Sequence, residues 1–238
     1  MKKYLHSLPV RVRLALSLPL LVLSFFLLWW ATGWAWPTQT LAFRALETEY
    51  GFGPGEIAAQ GEITFDPGYA GRYRALPSFW LVSRAEDAFA VALLEHRPGP
   101  LWRALTDIFL SPPLQILTPT EETPLAAALL AVAEGPLRFS DGQWLEDDTE
   151  YLFAVCALDP AISRVEVTMN YTYRLVTDDA PKESDPVTAE ARPVAEGVWL
   201  ARVRLPNPLE GRNGGYSFNR RLLGYDAAGT LVYDSGFF

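Results

Sequence analysis

The chain has a single cysteine, Cys156, among its 238 residues. No intramolecular disulfide can form, so stability has to come from packing. Histidine is nearly as scarce: only His6 and His96 occur, and a Ser-His-Asp triad on the body of the chain could draw only on His96. Zinc-ligand spacing, a Walker loop, a dinucleotide fingerprint and a nucleophile elbow are all missing. Those absences remove the grounds for proposing catalytic, metal or cofactor chemistry without excluding an enzyme, and the expectation is no cofactor and no metal. Lysine is confined to Lys2, Lys3 and Lys182, the remaining basic residues being arginine, an imbalance that reads as codon usage in a GC-rich genome. No acidic residue precedes Glu47.

What is present begins with a long apolar run. Leu14 to Trp36 carries no charge, follows Lys2, Lys3, Arg11 and Arg13, and contains Trp29, Trp30, Trp34 and Trp36 near its end. As a helix it would be roughly 34 Å long, enough for a hydrocarbon core of about 30 Å. Pro19 falls near its start, where a helix in lipid can carry it with a kink. The four tryptophans fit an interfacial belt, and the basic residues before the run place the N-terminus in the cytoplasm. A cleaved signal peptide is the competing reading, because Ala31-Thr32-Gly33 has small residues where a signal peptidase reads them. The length of the apolar core and the bulky Trp30 and Trp34 beside that site favour an uncleaved anchor. In both readings the rest of the chain is exported.

The remainder has the composition of folded protein, since the chain is 50% apolar and 13% aromatic. Setting aside the four N-terminal cations leaves 16 basic against 28 acidic residues outside. That balance argues against nucleic acid as a partner. Cys156, in the apolar run Tyr151 to Cys156, reads as a small core residue rather than a reactive thiol, because no base or cation is near it in sequence.

Taken in order, the expected organisation is a cytoplasmic tail over 1–13, a transmembrane helix over 14–36 and a small α+β domain over 41–110. A Pro-rich linker over 111–124 and a β-sandwich over 125–238 complete it. Thr40 would cap a helix containing Leu41, Phe43, Leu46 and Tyr50 and ending at Gly51. Residues 51–67, rich in glycine and proline, read as punctuation. Phe79 to Val82 and Phe89 to Leu94 read as a hairpin across Arg84-Ala85-Glu86-Asp87. Trp102, Leu105, Ile108 and Phe109 suggest a second short helix. Leu125 to Ala133 is compatible with a helix started by Thr123-Pro124 and with a buried strand.

From Tyr151 onward the pattern is β. Val165, Val167, Met169, Tyr171 and Tyr173 alternate with polar residues, and Trp199, Ala201, Val203 and Leu205 alternate with Arg202 and Arg204. Val187 to Val194, Tyr216 to Tyr225 and Leu231 to Phe237 supply further strands, the last two joined by Asp226-Ala227-Ala228-Gly229. Short strands separated by turns predict an antiparallel, immunoglobulin-like sandwich. Leu158 to Val167 and the closing Gly224 to Gly229 resemble uncharacterised single-pass membrane proteins of Gram-positive bacteria. Those have a short basic tail, one span and a β-rich outer domain, and the resemblance implies no activity.

Four local features are open to both a chemical and a structural reading. Asp234-Ser235-Gly236 matches the aspartic-protease triplet, but reads as a strand-ending turn so close to the last residue. Glu146, Asp147, Asp148 and Glu150, near Asp141-Gly142, could offer oxygens to Ca²⁺, yet lack the spacing of a dedicated loop and read as a solvated acidic segment. Asn170-Tyr171-Thr172 fits a glycosylation sequon, but its strand position and the expected bacterial source make the match read as incidental. Arg212, Arg220 and Arg221 form a basic spot that could receive a carboxylate or phosphate, or could pair with neighbouring acids.

Two functions remain. One is a membrane-anchored, non-catalytic binding or assembly module of the bacterial cell envelope, touching the lipid bilayer through its span and another envelope protein or wall polymer through its outer domain. The other is an exported hydrolase built around an unrecognised pocket, for instance at His96.

Overall fold

Residues 10–31, 35–64, 70–71, 78–97, 101–105, 112–135, 137–140, 143–146, 148–209 and 213–238 are described by the computed structural model. Helix α1, Val10–Ala31, is 22 residues long and includes Pro19. It therefore starts earlier and stops earlier than the expected span: Trp36 lies beyond it, hydrogen-bonded in both directions to the backbone of Trp102 at 2.6 Å. Counted over described side chains, which run unbroken in α1 only from 17 to 27, no helix is long and apolar enough to cross a membrane.

Helix α2, Gln39–Glu49, is capped by Thr38, whose Oγ1 accepts from the Leu41 N–H at 3.2 Å. Thr40, the expected cap, lies inside the helix. The end falls where expected, with Gly51 taking a φ of +69° that L side chains avoid. Residues expected only to punctuate then form β1, Glu56–Ile63. After the two-residue β2, Ala70–Gly71, come β3, Ser78–Ala85, and β4, Ala88–Arg97. These last two make the expected hairpin, turning at Glu86 with φ +49°.

A second helix at Trp102 does not form. Leu101–Ala104 is instead strand β5, paired with the end of β4, while Ile108 and Phe109 lie outside the described residues. Nor is the proline-rich stretch only a linker, because it holds β6, Leu114–Leu117, which shares the same edge of β4. The result is a five-stranded antiparallel sheet in the order β1-β3-β4, with β5 and β6 both on the far edge of β4.

Leu125–Glu134 is strand β7, which settles the helix-or-strand alternative. A small hairpin follows, β8 at Leu137–Ser140 and β9 at Gln143–Glu146, and then β10, Asp148–Ala157. The remaining strands are β11 (Arg164–Leu175), β12 (Lys182–Glu183), β13 (Val187–Ala195), β14 (Val198–Pro206), β15 (Gly214–Tyr225) and β16 (Leu231–Asp234). With β2, β7 and β10 they build an antiparallel nine-stranded sheet, β2 lying on the outer edge of β7. That sheet folds over at β13, which pairs with β11 along Val187–Ala191 and with β14 from Arg192 to Ala195.

Packing then stacks four layers. Ala42, Phe43 and Leu46 of α2 cover one face of β3, β4 and β6. The other face, through Trp80, Val82, Phe89 and Val91, lies on Leu130, Leu152, Ala154 and Cys156. The opposite side of β7, β10 and β14, with Phe153, Val155, Trp199 and Val203, meets Val167, Met169, Tyr171 and Leu222 of the outer layer. Strand β10 is thus buried on both faces, every residue after Asp148 being covered.

Candidate functional site

The expected basic spot turns out to be structural where it is described. Arg221 donates from Nε to Asp234 Oδ1 at 2.7 Å and makes a second, shorter bond from Nη2 to Oδ2. Those bonds, with the Gly236 N–H, hold the Asp234 carboxyl down to about 2 and raise the guanidinium value in return. The neighbouring Arg220 guanidinium lies 4.8 Å from the Phe238 ring centroid, and its backbone exchanges hydrogen bonds with Phe238 at 3.0 and 3.1 Å. Both arginines therefore fasten the final residues to β15, and Arg212 lies outside the described residues.

The other sequence features resolve in the same way. Asp234-Ser235-Gly236 is a strand-ending turn: Ser235 Oγ donates to the Gly236 carbonyl at 2.7 Å and accepts the Leu222 N–H at 2.8 Å. His96 lies in β4, its ring edge-on to Trp102 with centroids 4.9 Å apart. Asn170 is buried on β11 and accepts from Asn219 Nδ2 at 3.1 Å. Burial pushes the Cys156 thiol up to about 12, which keeps it protonated and inert.

Glu150 departs from its expected place in a solvated loop. It is fully buried on β10, 2.8 Å from Arg204 Nε and 2.9 Å from Arg202 Nη1. The Arg202 contact has ion-pair distance without hydrogen-bond alignment. Asp147 lies outside the described residues, as do the side chain of Glu146 and all of Asp141-Gly142. Among the described residues no group of three or more His, Cys, Asp or Glu side chains could hold a metal ion.

Arg202 leads to a polar hollow. It donates to the Thr64 carbonyl at 2.7 Å and so ties β14 to the end of β1 across 138 positions of sequence. Between β1 and the adjoining β13 and β14 runs a groove of about 640 Å³, edged by Gln60 and Glu62 of β1 on one side and by Glu190 and Arg192 of β13 and Arg202 of β14 on the other. Trp80 forms its base, with Gly61 directly over the indole: a Cβ at Gly61 would stand 3.1 Å from the ring. Carboxylates, an amide and guanidinium groups thus converge along an open cleft over a buried aromatic, a set suited to hydrogen-bonding an extended polar chain.

A second groove, of about 700 Å³, has Asp87, Glu121 and Asp159 on its rim with Thr118 and Thr120. None of the residues edging either groove stood out in the sequence. Arg202 entered there only as the polar side of an alternating strand, and Gln60 and Glu62 of β1 were hidden in a stretch dominated by glycine and proline. Comparison of the chain with protein-family models, with curated proteins and with solved structures finds no match.

Proposed function

We propose that the chain is a membrane-anchored, non-catalytic binding or assembly module of the bacterial cell envelope, with α1 as the anchor and the β layers outside. The observation that carries this reading is the surface of α1. Leu18, Leu20, Leu21, Val22, Leu23, Phe25, Phe26 and Leu27 are all 46 to 71% exposed. A helix whose described side chains from Leu18 to Leu27 are apolar on nearly every side and exposed throughout is best solvated by lipid. Its 22 residues span roughly 33 Å, and Arg11 and Arg13 at its start put that end on the cytoplasmic side.

The arrangement of β7-β10-β14 facing β13-β11-β15-β16 supports an immunoglobulin-like reading of the outer half. The groove between β1 and β13 is the surface we assign to the partner, another envelope protein or a wall polymer, in place of the arginines at the end of the chain. Its mixed charge disfavours nucleic acid, as does the acidic balance outside the first residues. At His96, one of the places where the hydrolase alternative could have had its pocket, the imidazole packs on an indole.

A periplasmic-type reporter fused after Phe238 is expected to be active and the chain to stay in the membrane after alkaline carbonate washing. Reporter activity in the cytoplasm, or release by carbonate, would overturn the anchor. For the groove, charge reversal at Glu190 and Arg192 is expected to abolish crosslinks to envelope material that reversal at Arg221 leaves intact; equal loss from both would put the contact elsewhere.

A further inference from the structure

Where α1 meets the outer layers there is a hollow of about 320 Å³, walled by Phe25 and Trp29, by Trp36 and Pro37, by Leu41 of α2 and by Leu101 of β5. None of these described wall residues is charged. The space is built rather than incidental: Trp36 is fixed by its paired backbone bonds to Trp102, and Trp29 meets it edge-on at 5.4 Å. Water would find few of the two to four polar partners that hold it in a buried place, so an apolar occupant suits the hollow.

The helix indicates which occupant. Leu18, Leu21, Phe25 and Trp29 recur at three and four residues, which puts them on one stripe of α1. Leu18, Leu21 and Phe25 are each more than 60% exposed, and the stripe ends in the walls of the hollow. Whatever covers the stripe continues into the space. We propose that the hollow receives one acyl chain of a membrane phospholipid, guided along this stripe from the bilayer. The inference rests on the anchor reading of α1. Room for roughly ten water-sized groups fits the distal part of one chain, methylenes being of similar size.

Benzophenone side chains placed singly at Leu41, Leu101, Leu23 and Val232 of the full chain, in phosphatidylglycerol–phosphatidylethanolamine vesicles, would test it by intact mass after irradiation. Leu23 reports whether α1 is in lipid at all, and Val232, on β16, reports random collision. Phospholipid adducts at Leu23, Leu41 and Leu101, severalfold above Val232, are expected. A Leu101→Phe substitution that fills the hollow should lower the Leu41 adduct severalfold and leave Leu23 unchanged. Adducts at Leu23 alone would overturn the acyl site while the anchor stands, and no adduct at Leu23 would remove the anchor and the site together. Labelling at Val232 equal to that at Leu41, or a protein adduct at Leu41, would also overturn the proposal.

Discussion

Glu47 shows how much one side chain can hold. Buried on α2, it accepts from Ser83 Oγ at 2.5 Å and from the Gly55 N–H at 3.3 Å, and it pairs with Arg44 Nη1 at 2.5 Å. Replacing it by alanine strips two buried donors of their acceptor, and a loss of about 2 kcal/mol in urea denaturation of the solubilised chain is expected. A loss indistinguishable from that of an exposed site such as Glu49→Ala would refute this role. Cys156 gives a pH dependence with a defined sign. Burial pushes its folded value up to about 12, above the ordinary 9.0 of a thiol, so the native state holds its proton longer. The resulting stability is complete below about 9 and is lost as pH rises from there towards 12. Cys156→Ala should lose less stability between those pH values than the parent does, and the parent thiol should react with iodoacetamide only on unfolding. Burial of Cys156 was legible from its apolar neighbours. The burial of Glu47 and Glu150 was not, because an acid is assigned to solvent unless its partners are known, and Ser83 and Arg204 lie 36 and 54 positions away.

Strands with one wet face announced themselves, and β11 and β14 lie where their alternation put them. Strand β7 did not, since Leu125–Glu134 is covered on both sides and so shows no period of two. An Ala/Leu run of that length is ambiguous on its own, and only the ladder to β10 decides it. The second helix around Trp102 failed for a related reason: a few apolar residues at helical spacing cannot outweigh a free edge of β4. At this scale the central layer should be the most sensitive to mutation. Phe153→Ala, which empties fully buried space in β10, is expected to cost about 3–5 kcal/mol. Trp199→Phe in β14 removes an indole N–H that has no hydrogen-bond partner among the described residues, and this should offset part of the lost volume, leaving a loss below about 1.5 kcal/mol. Equal losses in chemical denaturation would show that the Trp199 N–H carries no penalty.

For the whole molecule, the segment over 111–124 had suggested a boundary between two bodies. Yet Trp80, Val82, Phe89 and Val91 from before it share a core with Leu130, Leu152, Ala154 and Cys156 from after it. Proline content marks a change of direction, and says nothing about whether the pieces on either side need each other. A single unfolding transition is therefore expected for the outer layers, with tryptophan fluorescence and far-UV circular dichroism coinciding. Two separated transitions would restore the two-body picture. The general architecture of a basic start, an apolar run and a β-rich remainder was legible because composition and period carry it. The groove between β1 and β13 was not, because it exists only once residues near 60 and near 190 lie side by side.

The double-sided burial of β10 has a consequence for biogenesis. If the outer layers cross a membrane in the order of the sequence behind α1, β3 and β4 reach the far side before the surface that covers them has been delivered. Trp80, Val82, Phe89 and Val91 then stay bare until β7, β10 and β14 arrive, the last of them more than a hundred residues later. Maturation would depend on a holding factor or on rapid delivery of the remainder, since exposed apolar strands of this kind aggregate. Slowing translocation between Leu117 and Leu125 would for that reason lower the yield of folded protein more than the same delay after Pro206, when β7, β10 and β14 are all present.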